Sequence, residues 1–297
     1  MTGMMNKKAS VMLAMILSFV LLLLSGCGST ASKDGAGTSQ GSKPAAAAAT
    51  DLPPLPAEVK KRGKLVVGVK VDYPPLGYLD QEGKNTGYEI DVVRKMAEYA
   101  FGDPNAVEFV PVNATNRIPY LVSKKIDFIS ATLGVTEERK KEINFTTTFF
   151  DGGAITVVPK GSSIKDIQDL AGKKVIVIKG STASTFLEKE VPTAEQLKIE
   201  SNADAFRVLK DKRADAMLHD AVLMSEFVKT SPDYTIVGKQ VAMAPMAIGV
   251  RKDDPEMLTY LNAAMEKMRK ADYFKTLIEK YMPRAGDLDP MQMIPRP

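Results

Sequence analysis

The chain contains one histidine, His219, directly before a carboxylate in the segment RADAMLHDAVLM. A histidine beside an aspartate raises the question of general acid–base chemistry. The run before Asp220 is typical of a strand, in which successive side chains point to opposite faces. His219 and Asp220 are therefore not expected to form a hydrogen-bonded pair. The pattern places Asp220 in a cleft and His219 in the domain interior, as a packed structural residue.

The composition limits the chemistry further. One cysteine and one histidine in 297 residues predict neither a metal site nor a cysteine nucleophile, and no cofactor is expected. The formal charge of +4 comes from 40 basic and 36 acidic residues, and it becomes smaller still without Lys7 and Lys8. This near balance predicts no nucleic-acid partner. The length indicates one large domain or two ordinary ones.

The N-terminus has the layout of an export signal. In MNKKASVMLAMILSFVLLLLSGCGS, two lysines precede an apolar run and then small residues before Cys27, which predicts a signal segment over residues 1–27. LSGC resembles the bacterial lipobox, whose cysteine is lipidated. We therefore expect a lipid anchor at Cys27 and a location on the extracytoplasmic side of the cell membrane. The alternative is an ordinary cleaved signal with an accidental cysteine.

Two further segments are predicted to lie outside the folded core. Residues 28–52 consist mainly of Gly, Ser, Ala and Thr, cannot bury enough apolar surface to fold, and indicate a tether with a reach of about 25 to 30 Å. Residues 286–297 have the composition of a polar tail.

The remaining chain contains one half-motif twice. GKLVVGVK (63–70) matches GKKVIVIK (172–179), and LVSKKIDFISAT (121–132) matches LKDKRADAMLHD (209–220) in the same order. Strand-like and helix-like segments alternate in each half, as in the predicted helix 88–101 and strand 126–131. The sequence thus predicts two related α/β units with mostly parallel sheets.

Ligands bind such sheets beyond the carboxyl ends of the strands. The segment 131–134 follows a predicted strand of the first unit, and His219-Asp220 ends one in the second. If the units face each other, these strand ends line opposite walls of one cleft.

At this point the sequence resembles the extracytoplasmic solute-binding proteins of polar amino-acid ABC importers, solute-binding family 3. The resemblance covers residues 65–282 and includes LVVGVKVDYPPLGYLDQEGKNTGYEIDVVRKMA, NRIPYLVSKKIDFISATLGVTEERKKEINFTTTFF and LAGKKVIVIKGSTAS. It implies a periplasmic-binding-protein type II fold, whose mixed sheets form two lobes joined by two crossing strands. It also implies a monomer that delivers an amino acid to a permease and ATPase. We expect lobe 1 at 55–154 plus 248–285, lobe 2 at 155–247, and crossings near 152–158 and 243–250.

The resemblance implies roles for several residues. Arg139, in TEERKKE, would bind the ligand α-carboxylate with its planar fork, although a solvated charged turn is the alternative. Asp220 would receive the α-ammonium, since a buried cation needs a paired anion, and it is also a candidate N-cap. The amides and hydroxyls of Ser181 and Thr182 would face the carboxylate from a helix N-terminus.

One position departs from the family pattern. Relatives usually carry Thr or Ser where this chain has Gly134, so a hydroxyl contact to the ligand is lost. Thr132 or a water molecule is expected to substitute.

Lys70 and Arg117 are the expected selectivity residues. Two cations beside the side-chain pocket resemble the acidic amino-acid binders of the family and predict glutamate or aspartate as ligand. The alternatives are a solvated strand end for Lys70 and a structural ion pair for Arg117, with a neutral or basic ligand such as glutamine or cystine. Tyr73 and Tyr78 would supply an apolar wall or pack within the lobe.

A dehydratase-like enzyme is the rival function, because some proteins of this fold resemble prephenate or arogenate dehydratases. Such chemistry needs an acid against the departing hydroxyl, and Asp220 is the one carboxylate expected in the cleft. We therefore expect a receptor and not an enzyme.

Overall fold

The computed structural model describes residues 51–282. The predicted signal segment and Cys27, nearly all of the predicted tether, and the predicted tail 286–297 lie outside the described residues. Among residues 51–282, no helix has both the length and the apolar character needed to span a bilayer.

Strands and helices alternate along most of the described chain. The strands are β1 (Leu65–Val69), β2 (Asp72–Tyr73), β3 (Gly77–Leu79), β4 (Asn85–Thr86), β5 (Val107–Pro111), β6 (Phe128–Ser130), β7 (Ile143–Phe145), β8 (Phe150–Pro159), β9 (Lys174–Ile178), β10 (Glu195–Ile199), β11 (Ala216–Asp220), β12 (Tyr234–Met246) and β13 (Gly249–Arg251). The helices are α1 (Ala57–Arg62), α2 (Tyr88–Phe101), α3 (Arg117–Val122), α4 (Glu137–Glu142), α5 (Thr182–Glu190), α6 (Asn202–Lys210), α7 (Ala221–Thr230), α8 (Pro255–Lys270) and α9 (Tyr273–Tyr281). A short 3-10 helix covers Ile167–Leu170.

Two five-stranded sheets define two lobes. The first lobe contains the sheet β5-β1-β6-β13-β7, and the second contains β10-β9-β11-β8-β12. A small sheet, β2-β3-β4, contacts α2 and belongs to the first lobe. In each large sheet the first three strands pair in parallel and the last two join antiparallel. Four strands of each sheet therefore run in one direction, and only β13 in the first sheet and β8 in the second run opposite to them. The sheets are mixed and mostly parallel, as the sequence predicts.

The two strand orders explain the repeated half-motif. β1 and β9 occupy equivalent places, as do β6 and β11. Each copy of the second matching segment contains an aspartate, Asp127 or Asp215, and the two have the same role. Asp127 Oδ2 accepts a hydrogen bond from the backbone N–H of Val66 at 2.7 Å, and Asp215 Oδ2 accepts one from the backbone N–H of Lys174 at 2.8 Å. Each aspartate thereby ties the strand that follows it to the start of the neighbouring strand.

The segments 63–70 and 172–179, aligned by sequence on their Gly-Lys pairs, are shifted by one residue relative to their structural equivalence. Val67 pairs with Phe128, directly after one repeated aspartate, and Val175 pairs with Ala216, directly after the other. Lys70 is thus equivalent to Ile178, not to Lys179. Lys70 is buried, whereas Lys179 is exposed.

Helix α2 has the bounds that the sequence predicts. Its apolar residues Ile90, Val93 and Ala97 are buried against the first lobe, as the helical spacing requires. Gly87 precedes it with φ 123°, where a Cβ would lie 2.4 Å from the carbonyl oxygen of Leu76. Glycine is needed for this entry turn, which directs the start of α2 toward the strand ends.

The predicted crossings fall on long strands. The range 152–158 lies within β8, which begins earlier than predicted, at Phe150, and the range 243–250 runs from the end of β12 into β13. β8 and β12 pair antiparallel, with register shifts between Val237 and Ala244. That these segments act as a hinge stays a prediction.

Candidate functional site

The carboxyl ends of strands from both lobes surround one cavity. All nine positions singled out from the sequence line it: Lys70, Tyr73, Arg117, Thr132, Gly134, Arg139, Ser181, Thr182 and Asp220. Tyr78 does not, because its strand lies in the small sheet and its ring is near Asp80 and Tyr281. The structure thus brings together residues that are far apart in the sequence.

Arg117 is the first residue of α3, and it is buried with 3% exposure. Its Nη1 donates to the carbonyl oxygens of Ala131 at 2.6 Å and Thr132 at 3.2 Å, while its Nε has no hydrogen-bond partner. Within residues 51–282 Arg117 forms no salt bridge, so the structural ion pair considered from the sequence is wrong. Burial, with the nearby charge of Arg139, lowers the pKa of Arg117 to about 9.

Lys70 follows β1 directly and is also buried, with 4% exposure. It is therefore not the solvated strand end considered from the sequence. Burial lowers the pKa of its ammonium group, an effect that nearby Asp72 opposes. Among the described residues no carboxylate forms a salt bridge with Lys70, so its ammonium group faces the cavity with its donors unused.

Asp220 ends β11 and accepts a hydrogen bond from the hydroxyl of Tyr73, which lies in the other lobe. Its backbone caps α7, but its side chain makes no capping hydrogen bond. The predicted N-cap position is confirmed, but the side chain does not take part in the cap, because the carboxylate turns toward the cavity. Burial, followed by the charge of Asp220, raises the pKa of Tyr73 well above its usual value, so Tyr73 is the hydrogen-bond donor.

His219 does not pair with the carboxylate of Asp220, as expected. Its Nδ1 accepts from the backbone N–H of Asp220 at 2.6 Å, so its Nε2 carries the proton and donates to Asn202 Oδ1 at 2.9 Å. Its ring also lies 5.6 Å from that of Tyr73. His219 is buried and packed, as expected, and it also lines the cavity, which the sequence did not predict.

Arg139 lies on α4, a helix and not the solvated turn considered from the sequence. The hydroxyl of Thr136 caps this helix by accepting from Arg139 N at 3.2 Å. Arg139 Nη1 donates to Gly134 O at 2.6 Å, and Nη2 donates to Gly180 O at 3.0 Å in the second lobe. The guanidinium group of Arg139 therefore contacts both lobes, and each of its two terminal nitrogens has one further N–H to donate to another acceptor.

The helix N-terminus of α5 completes the second wall. Ser181 is its N-cap, with Oγ accepting from Ser184 N at 3.1 Å, and Thr182 is its first residue. Across from them, Gly134 has no room for a larger residue, because a Cβ there would lie 2.9 Å from Ala244 Cβ. The departure from the family pattern thus has a steric cause.

The sequence did not predict the roles of two buried polar residues, Glu89 near the cavity and Asn202 in its lining. Glu89 is 1% exposed and both its oxygens lie 2.9 Å from the backbone N of Thr132. Asn202, the first residue of α6, is buried and contacts Asp72 of the first lobe. The helical pattern of α2 gave no signal for a buried acid, and nothing in SNADAF marks Asn202 as an interface residue.

The arrangement is a cleft lined by charged groups of both signs. Within the described part of the chain, no group of three or more His, Cys, Asp or Glu side chains is placed to hold a metal ion. The cavity instead offers cationic donors from one lobe, with a carboxylate and a helix N-terminus from the other. Such a set binds a small zwitterion.

Residues 65–284 match the family of bacterial extracellular solute-binding proteins, family 3. The chain belongs to this family. The ABC transporter glutamine-binding protein GlnH of Bacillus subtilis (strain 168) is 33% identical over 272 residues, which cover 91% of this chain and 96% of that protein. The glutamine-binding protein of Geobacillus stearothermophilus is 35% identical over 252 residues, covering 83% and 93%.

Solved structures of family 3 agree with the fold. The solute receptor for L-cysteine of Neisseria gonorrhoeae superposes with a TM-score of 0.78 at 31% identity, covering 81% of this chain and 99% of that one. This family 3 member is therefore a two-lobed solute-binding protein of an amino-acid ABC transporter. Its relatives are transport proteins, so the dehydratase alternative is wrong and the protein is not an enzyme.

Proposed function

We propose that this protein captures glutamate or aspartate between its lobes and delivers it to the permease. The observation that carries this proposal is a surplus of cationic donors in the cavity. Lys70 and Arg117 are both buried, and neither forms a salt bridge within residues 51–282. Two buried cations without a paired anion are costly, and a ligand carboxylate offsets that cost.

The proposed pose divides the ligand between two ends of the cavity. Arg139 and the N-terminus of α5 bind the α-carboxylate, and Asp220 receives the α-ammonium with the oxygen that Tyr73 leaves free. The side-chain carboxylate then lies toward Lys70 and Arg117. Every charged group of the ligand has an opposite charge beside it.

Glutamine is the second candidate, because the two curated relatives described above are named for glutamine. An amide oxygen accepts from one of the two cations, but the amide nitrogen is itself a donor. The amide therefore adds a donor beside the two cations and no negative charge, whereas the carboxylate of glutamate offers only acceptors and a charge that offsets them.

Calorimetry with glutamate, aspartate, glutamine and asparagine tests the assignment. Lys70→Met should weaken the two acids at least tenfold more than the two amides, because it removes one charge at the side-chain end. Lys179→Met is the matched control, since it alters the exposed closing lysine of the second half-motif. A wild-type protein that prefers glutamine, with both ligand classes equally weakened by Lys70→Met, would overturn the acidic assignment.

We also propose that the protein is lipidated at Cys27 and faces the extracytoplasmic side on the tether 28–52. The support is the sequence pattern before Cys27 together with membership of an extracellular solute-binding family. Cys27→Ser should release the protein from membranes into the aqueous phase of a detergent partition, with ligand affinity unchanged. Partition into detergent by this variant would place the anchor elsewhere.

The lobe limits are likewise a proposal. We expect 55–154 plus 248–285 to move as one body against 155–247, with 286–297 outside both and the protein a monomer. Antiparallel pairing of β8 with β12 supports a common bending region. Solution scattering should show contraction when ligand is added, and an unchanged radius of gyration would count against closure.

A further inference from the structure

Glu89 is a buried acid that the proposed pose leaves without a role. It is the second residue of α2, with 1% exposure. A carboxylate accepts roughly four hydrogen bonds, yet among the described residues the donor to both oxygens of Glu89 is one group, the backbone N–H of Thr132. No lysine or arginine of residues 51–282 forms a salt bridge with it. Its two oxygens therefore share one donor, and one oxygen has room for a proton.

The groups that face Glu89 come from several elements. Arg117 of α3 and Lys70 after β1 are the cations whose charges act on Glu89, and Asp220 of β11 is the other carboxylate. Arg117 also donates to the carbonyl oxygen of Thr132, whose N–H is the donor to Glu89. The two cations are the same ones that the proposed pose gives to the ligand side chain. Glu89 and the ligand side chain therefore compete for the same positive charge.

We infer that Glu89 sets the charge of the ligand side chain that this cavity accepts. An ionised Glu89 offsets one of the two cations and favours a neutral side chain. A protonated Glu89 leaves both cations to an acidic side chain, so binding of an acidic amino acid is accompanied by proton uptake at Glu89. The roles given to Lys70 and Arg117 rest on the proposed function.

The electrostatics of the site support this coupling. Burial raises the pKa of Glu89 to about 7, against the lowering effects of the Thr132 N–H, Arg117 and Lys70. A ligand carboxylate weakens the effect of those cations and adds a like charge, which raises the pKa of Glu89 further. The protonated form binds acids better, so affinity for glutamate should fall as pH rises through about 7. Glutamine affinity should not fall in that range.

The first experiment compares two substitutions on one helix. Glu89→Gln removes the buried charge and should raise the ratio Kd(glutamine)/Kd(glutamate) by about tenfold over wild type. Glu98→Gln removes an exposed charge from the same helix and should leave the ratio unchanged. A ratio that is unmoved by Glu89→Gln would overturn the inference. A wild-type preference for glutamine, with the ratio still shifted, would overturn only the proposed ligand.

The second experiment uses only the wild-type protein, so it does not depend on the stability of a variant. Calorimetry of wild type at pH 7 with glutamate, in two buffers of different ionisation enthalpy, should show uptake of a sizeable fraction of one proton per ligand bound. Glutamine should show much less. Equal proton uptake for both ligands, or none for either, would overturn the coupling even if Glu89→Gln were unstable.

Discussion

Asn202 of the second lobe donates three hydrogen bonds to Asp72 of the first. Its backbone N–H reaches Oδ2 of Asp72 at 2.9 Å, and its side-chain Nδ2 reaches the carbonyl oxygen and Oδ1 at 3.2 Å each. The proton on His219 Nε2 fixes the orientation of the amide by donating to Asn202 Oδ1. This set of contacts joins the two lobes directly, and we expect it to favour the closed form that the proposed function requires.

Asn202→Ala should weaken binding of all amino acids by a common factor of about ten. The apparent affinity scales with the population of the closed form, and this substitution changes no charge, so the preference between ligands should stay the same. Stopped-flow fluorescence should show faster dissociation. Asn105→Ala, at an exposed turn, is the control, and an altered ratio between glutamate and glutamine would mean that Asn202 instead contacts the ligand side chain.

Arg139→Ala and Asp220→Ala should each cost about 2 to 5 kcal/mol of binding free energy for every amino acid, or roughly 30-fold to several thousandfold in affinity. Each removes a partner of a group that all amino acids share and leaves the opposite charge of the ligand unpaired. Titration calorimetry with glutamate and glutamine measures both losses. A loss confined to one ligand would show that the proposed pose is reversed.

Gly134→Ser should weaken binding despite restoring the hydroxyl expected in the family. Its Cβ would lie 2.9 Å from Ala244 Cβ, which is closer than two carbon atoms pack. Combining it with Ala244→Gly should recover affinity, with a coupling energy of about 0.5 to 3 kcal/mol in a double-mutant cycle. Additive losses would mean that the contact with Ala244 is not the obstacle.

Asp127→Ala should destabilise the protein more than Asp215→Ala, although each carboxylate accepts a hydrogen bond from a backbone N–H of the neighbouring strand. Asp127 is buried and also pairs with Arg62, whereas Asp215 is exposed. Leaving Val66 N–H unpaired in a buried site should lower the free energy of unfolding by about 1 to 3 kcal/mol, against about 0.5 at an exposed position. Urea unfolding measures both, and equal losses would contradict the role of burial.

The sequence predicted most of the scaffold because the relevant signals are local. The apolar spacing of α2 predicted its bounds, and the match between residues 121–132 and 209–220 located β6 and β11. The repeat also identified Thr132 and Asp220 as the two strand ends that meet at the cavity. Register was less certain, because two β-rich motifs align almost equally well when shifted by one residue.

The rest depends on contacts between distant segments, which spacing does not encode. Glu89 stands beside buried apolar residues in α2, and nothing before the fold is known distinguishes it from a solvated acid. Asn202 and Asp72 meet only because the lobes face each other. Asp220 is the N-cap of α7, as expected, but its side chain does not cap the helix, since the hydroxyl of Tyr73 donates to the carboxylate from the other lobe.

The imidazole of His219 is a natural NMR probe of the contact between the two lobes. It packs against the ring of Tyr73 from the opposite lobe, 5.6 Å between ring centres, and a sequence with one histidine yields one set of imidazole resonances. Separation of the lobes removes the ring current of Tyr73 from the imidazole, while the hydrogen bond from Nε2 to Asn202 lies within the second lobe. Proton NMR of the unlabelled, unmutated protein can therefore follow the exchange between open and closed forms without assignment of any other residue.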